Sequence, residues 1–161
     1  RAIATNALSL LDEWKTPPGT QPDGLFSREQ FRHWLEEIKD SCTKSGHLDV
    51  ALFKVGEVLF YGPPEPEGLW IDQAVAEAFN SVDAEKMRRG FEAEAYNSRG
   101  LHIIDPTGKP EKELAEQYRR KADEVENAGY QRFAVTLRGL SKSYDRDAER
   151  NIAEHNLEKL S

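Results

Sequence analysis

Apolar residues recur at helical spacing along nearly the whole chain, and proline- and glycine-rich stretches cut that pattern into segments. The most apolar run is Leu48 to Tyr61, LDVALFKVGEVLFY, whose only charges are Asp49, Lys54 and Glu57. Its apolar positions are not confined to one face, which is the pattern of a buried helix. A buried strand pair is the alternative, because Val50, Val55 and Val58 are β-branched. The run carries no turn signal and is long for a strand, so it predicts the central helix of the fold. Gly56 in its middle costs up to about 1 kcal/mol of helix propensity. A second helix crossing close to that glycine would explain it.

The other segments carry single stripes. Ile3, Ala7, Leu10 or Leu11, and Trp14 predict a helix over Ala2 to Trp14. Phe31, Trp34, Leu35, Ile38 and Cys42 predict a second, opened by a capping box between Ser27 and Gln30 and closed at Gly46. After the central helix come a short helix over Trp70 to Phe79 and another over Val82 to Ser98. Ser81 is placed to cap the latter, and Gly100 with Leu101 folding back would give it a Schellman end. A sixth helix spans Glu111 to Ala128 with Leu114, Tyr118, Ala122 and Val125 inward. The seventh runs from Tyr130 to about His155 or beyond, on a stripe of Tyr130, Phe133, Leu137, Leu140, Tyr144, Ala148 and Ile152. That stripe predicts a long helix lying antiparallel to a neighbour. Its polar last turns, after about Ile152, are expected to fray or to serve as a connection.

Two of the breaks resemble each other. PPGTQPDGLF, Pro17 to Phe26, and PPEPEGLW, Pro63 to Trp70, both read Pro-Pro, spacer, Pro, acid, Gly, Leu, large aromatic, then helix. Their Gly24 and Gly68 are one helix-pair period apart. Two copies do not make an array, and proline-stopped connections that use an aromatic as a core plug account for the same phrase.

Composition narrows the partner classes. The 161 residues carry a net charge of −7, with 32% charged and 38% hydrophobic residues. That length suits one domain, 1–161, with well solvated helix faces. The acidic balance disfavours nucleic acid and anionic membrane as partners. The one cysteine excludes an internal disulfide framework and fits a reducing, cytoplasmic setting. No run has the length of a membrane span and none resembles a signal peptide. The first residues, from Arg1, already read as mid-helix, which is expected of a piece of a longer protein.

Catalytic and ligand-binding patterns are scarce. His33, His47, His102 and His155 lie on separate elements, and none has a His or Cys partner at metal-ligand spacing. Cys42 falls on an apolar stripe, as a small core residue does. There is no G-x-S-x-G and no phosphate-binding glycine loop. Acidic pairs such as Glu36-Glu37 and Glu111 with Glu113 read as solvated faces. Lys86-Arg88-Arg89 and Arg119-Arg120-Lys121 are interleaved with acids and read as ion-pair partners. These readings name no catalytic residue, metal or cofactor. Two features point to recognition. Tyr96, Asn97 and Arg99 gather an aromatic and polar groups at one helix end, and Trp70 follows a stiff proline linker. A C-cap and a core plug are their plain structural counterparts.

The phrases VGEVLFYGPPEPEGLW, YNSRG, ELAEQYRRKADEVE and LRGLSKSYDRDAER, with Trp14 before its linker, resemble a helical segment of large multidomain bacterial proteins of unknown function. The resemblance covers Leu8 to about Arg150. It implies an all-helical accessory region attached to other domains, and it carries no catalytic residue across.

The expectation is therefore an all-α fold of six to seven helices, an irregular bundle or short solenoid-like stack with proline-rich connections. The function expected is protein–protein interaction or scaffolding. The partner would be another protein or other domains of the same chain, and the long C-terminal helix offers a homodimer contact. A ligand-binding or enzymatic cleft near residues 96–110 is the alternative. A nucleic-acid-associated regulator is a third class, disfavoured by charge.

Overall fold

A computed structural model describes residues 14–160. The helix expected over Ala2 to Trp14 therefore lies, but for Trp14, outside the described residues. Those residues form six helices and no strand, and about two-thirds of them are helical. The helices are α1 (Arg28–Ser45), α2 (Leu48–Leu59), α3 (Gln73–Asn80), α4 (Glu85–Asn97), α5 (Lys109–Asn127) and α6 (Gln131–Glu158). The fold is all-α, as the periodicity indicates. The chain divides into two compact units, Arg1–Ala95 and Tyr96–Ser161.

In the first unit, α1 begins where Ser27 accepts a hydrogen bond from the Gln30 N–H at 3.2 Å. The other half of the expected capping box is replaced. The Ser27 N–H donates to the Gly19 carbonyl at 2.8 Å, which folds the first proline linker back onto the helix start. Phe31 and Leu35 are buried, and Cys42 is half-buried at the edge of the stripe. Helix α2 buries Leu52, Val55, Gly56, Val58 and Leu59.

Gly56 is where a second helix crosses. A Cβ on Gly56 would stand 1.9 Å from the Met87 carbonyl oxygen, and a Cβ on Gly90 would stand 1.9 Å from that of Phe53. Each glycine thus receives the backbone of the opposing helix, so α2 and α4 approach more closely than helices bearing side chains at both positions. Phe60, Phe79 and Phe91 pack around this crossing, with Phe91 5.2 Å from each of the other two rings.

The second linker is closed by polar contacts. The Arg28 guanidinium donates to Asp72 at 3.0 Å and to Glu65 at 2.7 Å. Asp72 in turn caps α3 by accepting from the Ala74 N–H at 2.8 Å. That cap delays the helix to Gln73, so Trp70 and Ile71 precede it. The sequence echo has a counterpart in hydrogen bonding. The Gln21 N–H donates to the Leu25 carbonyl at 2.8 Å, and the Glu65 N–H donates to the Leu69 carbonyl at 3.0 Å. Ser81 closes α3 instead of opening α4, because the turn through Val82 and Asp83 postpones α4 to Glu85.

The second unit is a hairpin of α5 and α6. Ala115, Tyr118, Ala122 and Val125 of α5 face Phe133, Leu137, Leu140, Tyr144 and Ala148 of α6. Leu114, expected inward, is half-exposed, and Ala115 takes its place. The Ser141 hydroxyl donates to the Ala115 carbonyl at 2.7 Å inside the hairpin. Gly108 precedes α5 at φ +62°, where a Cβ would stand 2.8 Å from the Ala148 carbonyl oxygen. The glycine therefore seats the start of α5 directly on the backbone of α6. Helix α6 runs on to Glu158, past the point where fraying was expected.

Candidate functional site

The most chemically distinctive place in the second unit is the start of α5. Buried positions on α5 fall at Glu111, Ala115, Tyr118, Ala122 and Val125, alternately four and three apart. Glu111 thus occupies a core slot, and it is only 2% exposed. A buried carboxylate is costly without a partner. Arg99 supplies one, donating to Glu111 Oε1 at 2.9 Å. Burial raises the Glu111 pKa, but the Arg99 hydrogen bond, a backbone N–H and the nearby charges of Arg99 and His102 outweigh it and hold the group below the ordinary carboxylate value. Glu111 Oε2 is buried and has no hydrogen-bond partner.

Arg99 also lies 5.4 Å from the Tyr144 ring centroid, in cation–π range. Tyr144 is sandwiched in a short aromatic column, 4.9 Å from Tyr96 and 5.7 Å from Tyr118. Burial pushes the Tyr144 hydroxyl up to about 12, with Tyr96 contributing. At neutral pH it is a neutral packing group. Helix α4 ends as the Arg99 and Gly100 N–H groups donate to the Tyr96 and Asn97 carbonyls. Gly100 has the expected positive φ, of 60°. Leu101, however, does not fold back onto the helix. It is fully exposed, as is Ile103, and Ile104 is largely so. The His102 ring contacts the Gly100 carbonyl at 3.2 Å.

Beside this loop lies a cavity of about 330 Å³, walled by Tyr96, Arg99, Glu111, Asp147 and Asn151. A second, of about 320 Å³, lies along α6 at Glu154 and Glu158. Ile104 and Asn151 line both. Asn151 is only 7% exposed and takes the core slot that periodicity assigned to Ile152.

The residues singled out from sequence fall in two places. Tyr96 and Arg99 meet at Tyr144 in the second unit, and Asn97 is exposed at the same helix end. Trp70 is half-buried in the first unit, 6.5 Å from Phe91. Sequence reasoning missed Glu111 and Asn151 because it treated polar residues as surface. The signal was spacing: Glu111, Tyr118 and Val125 are successive sevens, as are Tyr144 and Asn151.

Elsewhere the charged groups have local uses. The Arg88 guanidinium donates to the Phe79 and Ser81 carbonyls, Arg89 pairs with Glu85, and Arg119 pairs with Glu116 and Asp145. The Tyr61 hydroxyl donates to Glu94 at 2.5 Å, and burial with that hydrogen bond pushes its pKa up to about 12. His33 meets Glu37 at 3.3 Å on an exposed face. Among the described residues no group of three or more His, Cys, Asp or Glu is placed to hold a metal ion, and no helix is long and apolar enough to cross a membrane. No protein-family model, curated protein or solved structure matches the chain.

Proposed function

We propose that this chain is a protein-interaction module, acting as one region of a larger bacterial protein of the kind its sequence resembles. The observation that supports this most is the loop after α4. Leu101, Ile103 and Ile104 stand in solvent beside a cleft whose floor is held by the Arg99–Glu111 pair. Apolar side chains displayed together on a well-anchored turn favour burial against another surface. Tyr96 and Arg99, of types enriched at binding hot spots, adjoin the loop. The partner is another protein or another region of the same polypeptide, in a cytoplasmic setting. Self-association through α6 is a further mode, since Val135 and Leu157 on it are exposed.

The cleft also favours a second reading, a small-molecule site, because about 330 Å³ reaches the lower end of ligand-pocket volumes. One comparison separates the two. The double variant Leu101→Asp/Ile103→Asp changes exposed side chains only, so its melting temperature should match the wild type. Quantitative co-purification of the tagged protein should then retain a partner with the wild type and lose it, at least tenfold, with the variant. An identical set of co-purifying proteins, together with a thermal shift on addition of a metabolite, would favour the small-molecule reading.

A further inference from the structure

Between α1 and α2, within the first unit, lies a cavity of about 280 Å³. Apart from His47 and Lys54, every residue lining it is apolar. Helix α1 carries more apolar face than α2 covers. Phe31 and Leu35 are buried, but Trp34, Ile38 and Cys42, spaced by fours on the same stripe, are only half-buried. On the α2 side Val50 is 65% exposed and Ala51 is half-buried. A ridge of residues four apart is what one helix offers another in the commonest packing class. Trp14 already lines this cavity, edge-on to Trp34 with ring centroids 5.8 Å apart. It is also the last member of the apolar stripe Ile3, Ala7, Leu10 or Leu11, Trp14. The chain that precedes Trp14 is therefore tethered at the cavity itself.

We propose that the Trp34–Ile38–Cys42 ridge and the cavity beside it are the seat of this chain's own N-terminal segment, Ala2 to Glu13, laid across α1 and α2 as a helix on the face that ends in Trp14. Ile3, Ala7 and Leu11 form a second ridge of fours, in step with the one on α1. As a helix the segment would span about 18 Å, and the ridge from Trp34 to Cys42 spans about 12 Å, so it is long enough to cover the ridge. The charges are complementary, since Asp12 and Glu13 adjoin Trp14 while Lys54 and His47 stand at the cavity. The tether decides between this occupant and a second copy or a foreign chain. A segment joined directly to Trp14 meets the cavity at an effective concentration of about millimolar, without any encounter in solution. A compact ligand would fill the cavity and leave the Cys42 end of the ridge open. This inference concerns the first unit and does not rest on the interaction proposed for the loop after α4.

The test is hydrogen exchange of backbone amides in the whole chain. The amides of the N-terminal segment should exchange at least about tenfold more slowly than those of an unstructured peptide. Val50→Asp puts a charge on the cavity wall at a side chain that is 65% exposed, so α1 and α2 should keep their protection while the segment loses its own. Leu10→Asp/Leu11→Asp should abolish the same protection from the other side. That double variant leaves the cavity wall untouched, so it decides the matter even where Val50→Asp disturbs α2. Neither change should alter exchange in α5 or α6. Protection of the segment should also be constant over a roughly hundredfold range of protein concentration, as an intramolecular contact requires. Unprotected exchange of the segment in the wild type overturns the proposal, as does protection that survives both variants. Protection that rises with concentration overturns it too, and assigns the cavity to a second copy.

Discussion

At the scale of residues, the Arg99–Glu111 pair governs the local electrostatics of the cleft. Removing only the arginine leaves a carboxylate buried with no counter-charge, and breaking such pairs typically costs about 3–5 kcal/mol. Arg99→Leu should therefore lower unfolding free energy by about that amount in urea titration. Replacing both partners with leucine should recover most of the loss, because the stranded charge is gone. If the double variant is as unstable as the single one, the cation–π contact with Tyr144 matters more than the ion pair. The pH dependence has a definite sign. The folded-state pKa of Glu111 lies below its unfolded value, so its stabilisation is present above about pH 4.3 and is lost as pH falls through the lower folded value. On acidification the wild type should lose more stability than Glu111→Gln, and parallel curves would refute the assignment.

At the scale of elements, the crossing of α2 and α4 at Gly56 and Gly90 sets each glycine against the backbone of the opposing helix. A methyl at either position meets a backbone carbonyl, which has no rotamer to escape into. Overpacking commonly costs about 1–3 kcal/mol, and here it should reach or pass the upper limit. Gly90→Ala should lower the melting temperature by many degrees, whereas Ala at Gly24, where nothing lies within 4 Å, should cost only the strain of its positive φ. A Gly90→Ala protein as stable as wild type would contradict the crossing. Gly56 was legible from sequence because a glycine inside an apolar helix needs a reason. Its partner Gly90 was not, since it sits among charged residues and pairs with Gly56 only once the chain has folded. The same division holds for caps. Ser27 was readable from its type and spacing. Asp72 was not singled out, although its side chain caps α3 locally through the Ala74 N–H; what could not be read is that it also receives Arg28 from far away in the chain. Glu111 and Asn151 were hidden by a rule that is right for most polar residues, and only their register on the stripe marked them as buried.

At the scale of the whole molecule, helix periodicity predicted the all-α class and nearly every element, because single-striped helices bury one face whatever they pack against. Periodicity says nothing about the end of a helix, where capping and loop geometry decide which side chains turn outward. The loop after α4 is the clearest instance, as Leu101 was expected to fold back and instead faces solvent. The functional proposal depends on that loop, so the most direct test works there. A photo-crosslinking amino acid placed at Ile103, in cells that natively make the protein, should yield a discrete adduct with another polypeptide or another region of the same one. The same group at Gln117, exposed on α5, should not. Adducts from both positions alike, or from neither, would contradict the account.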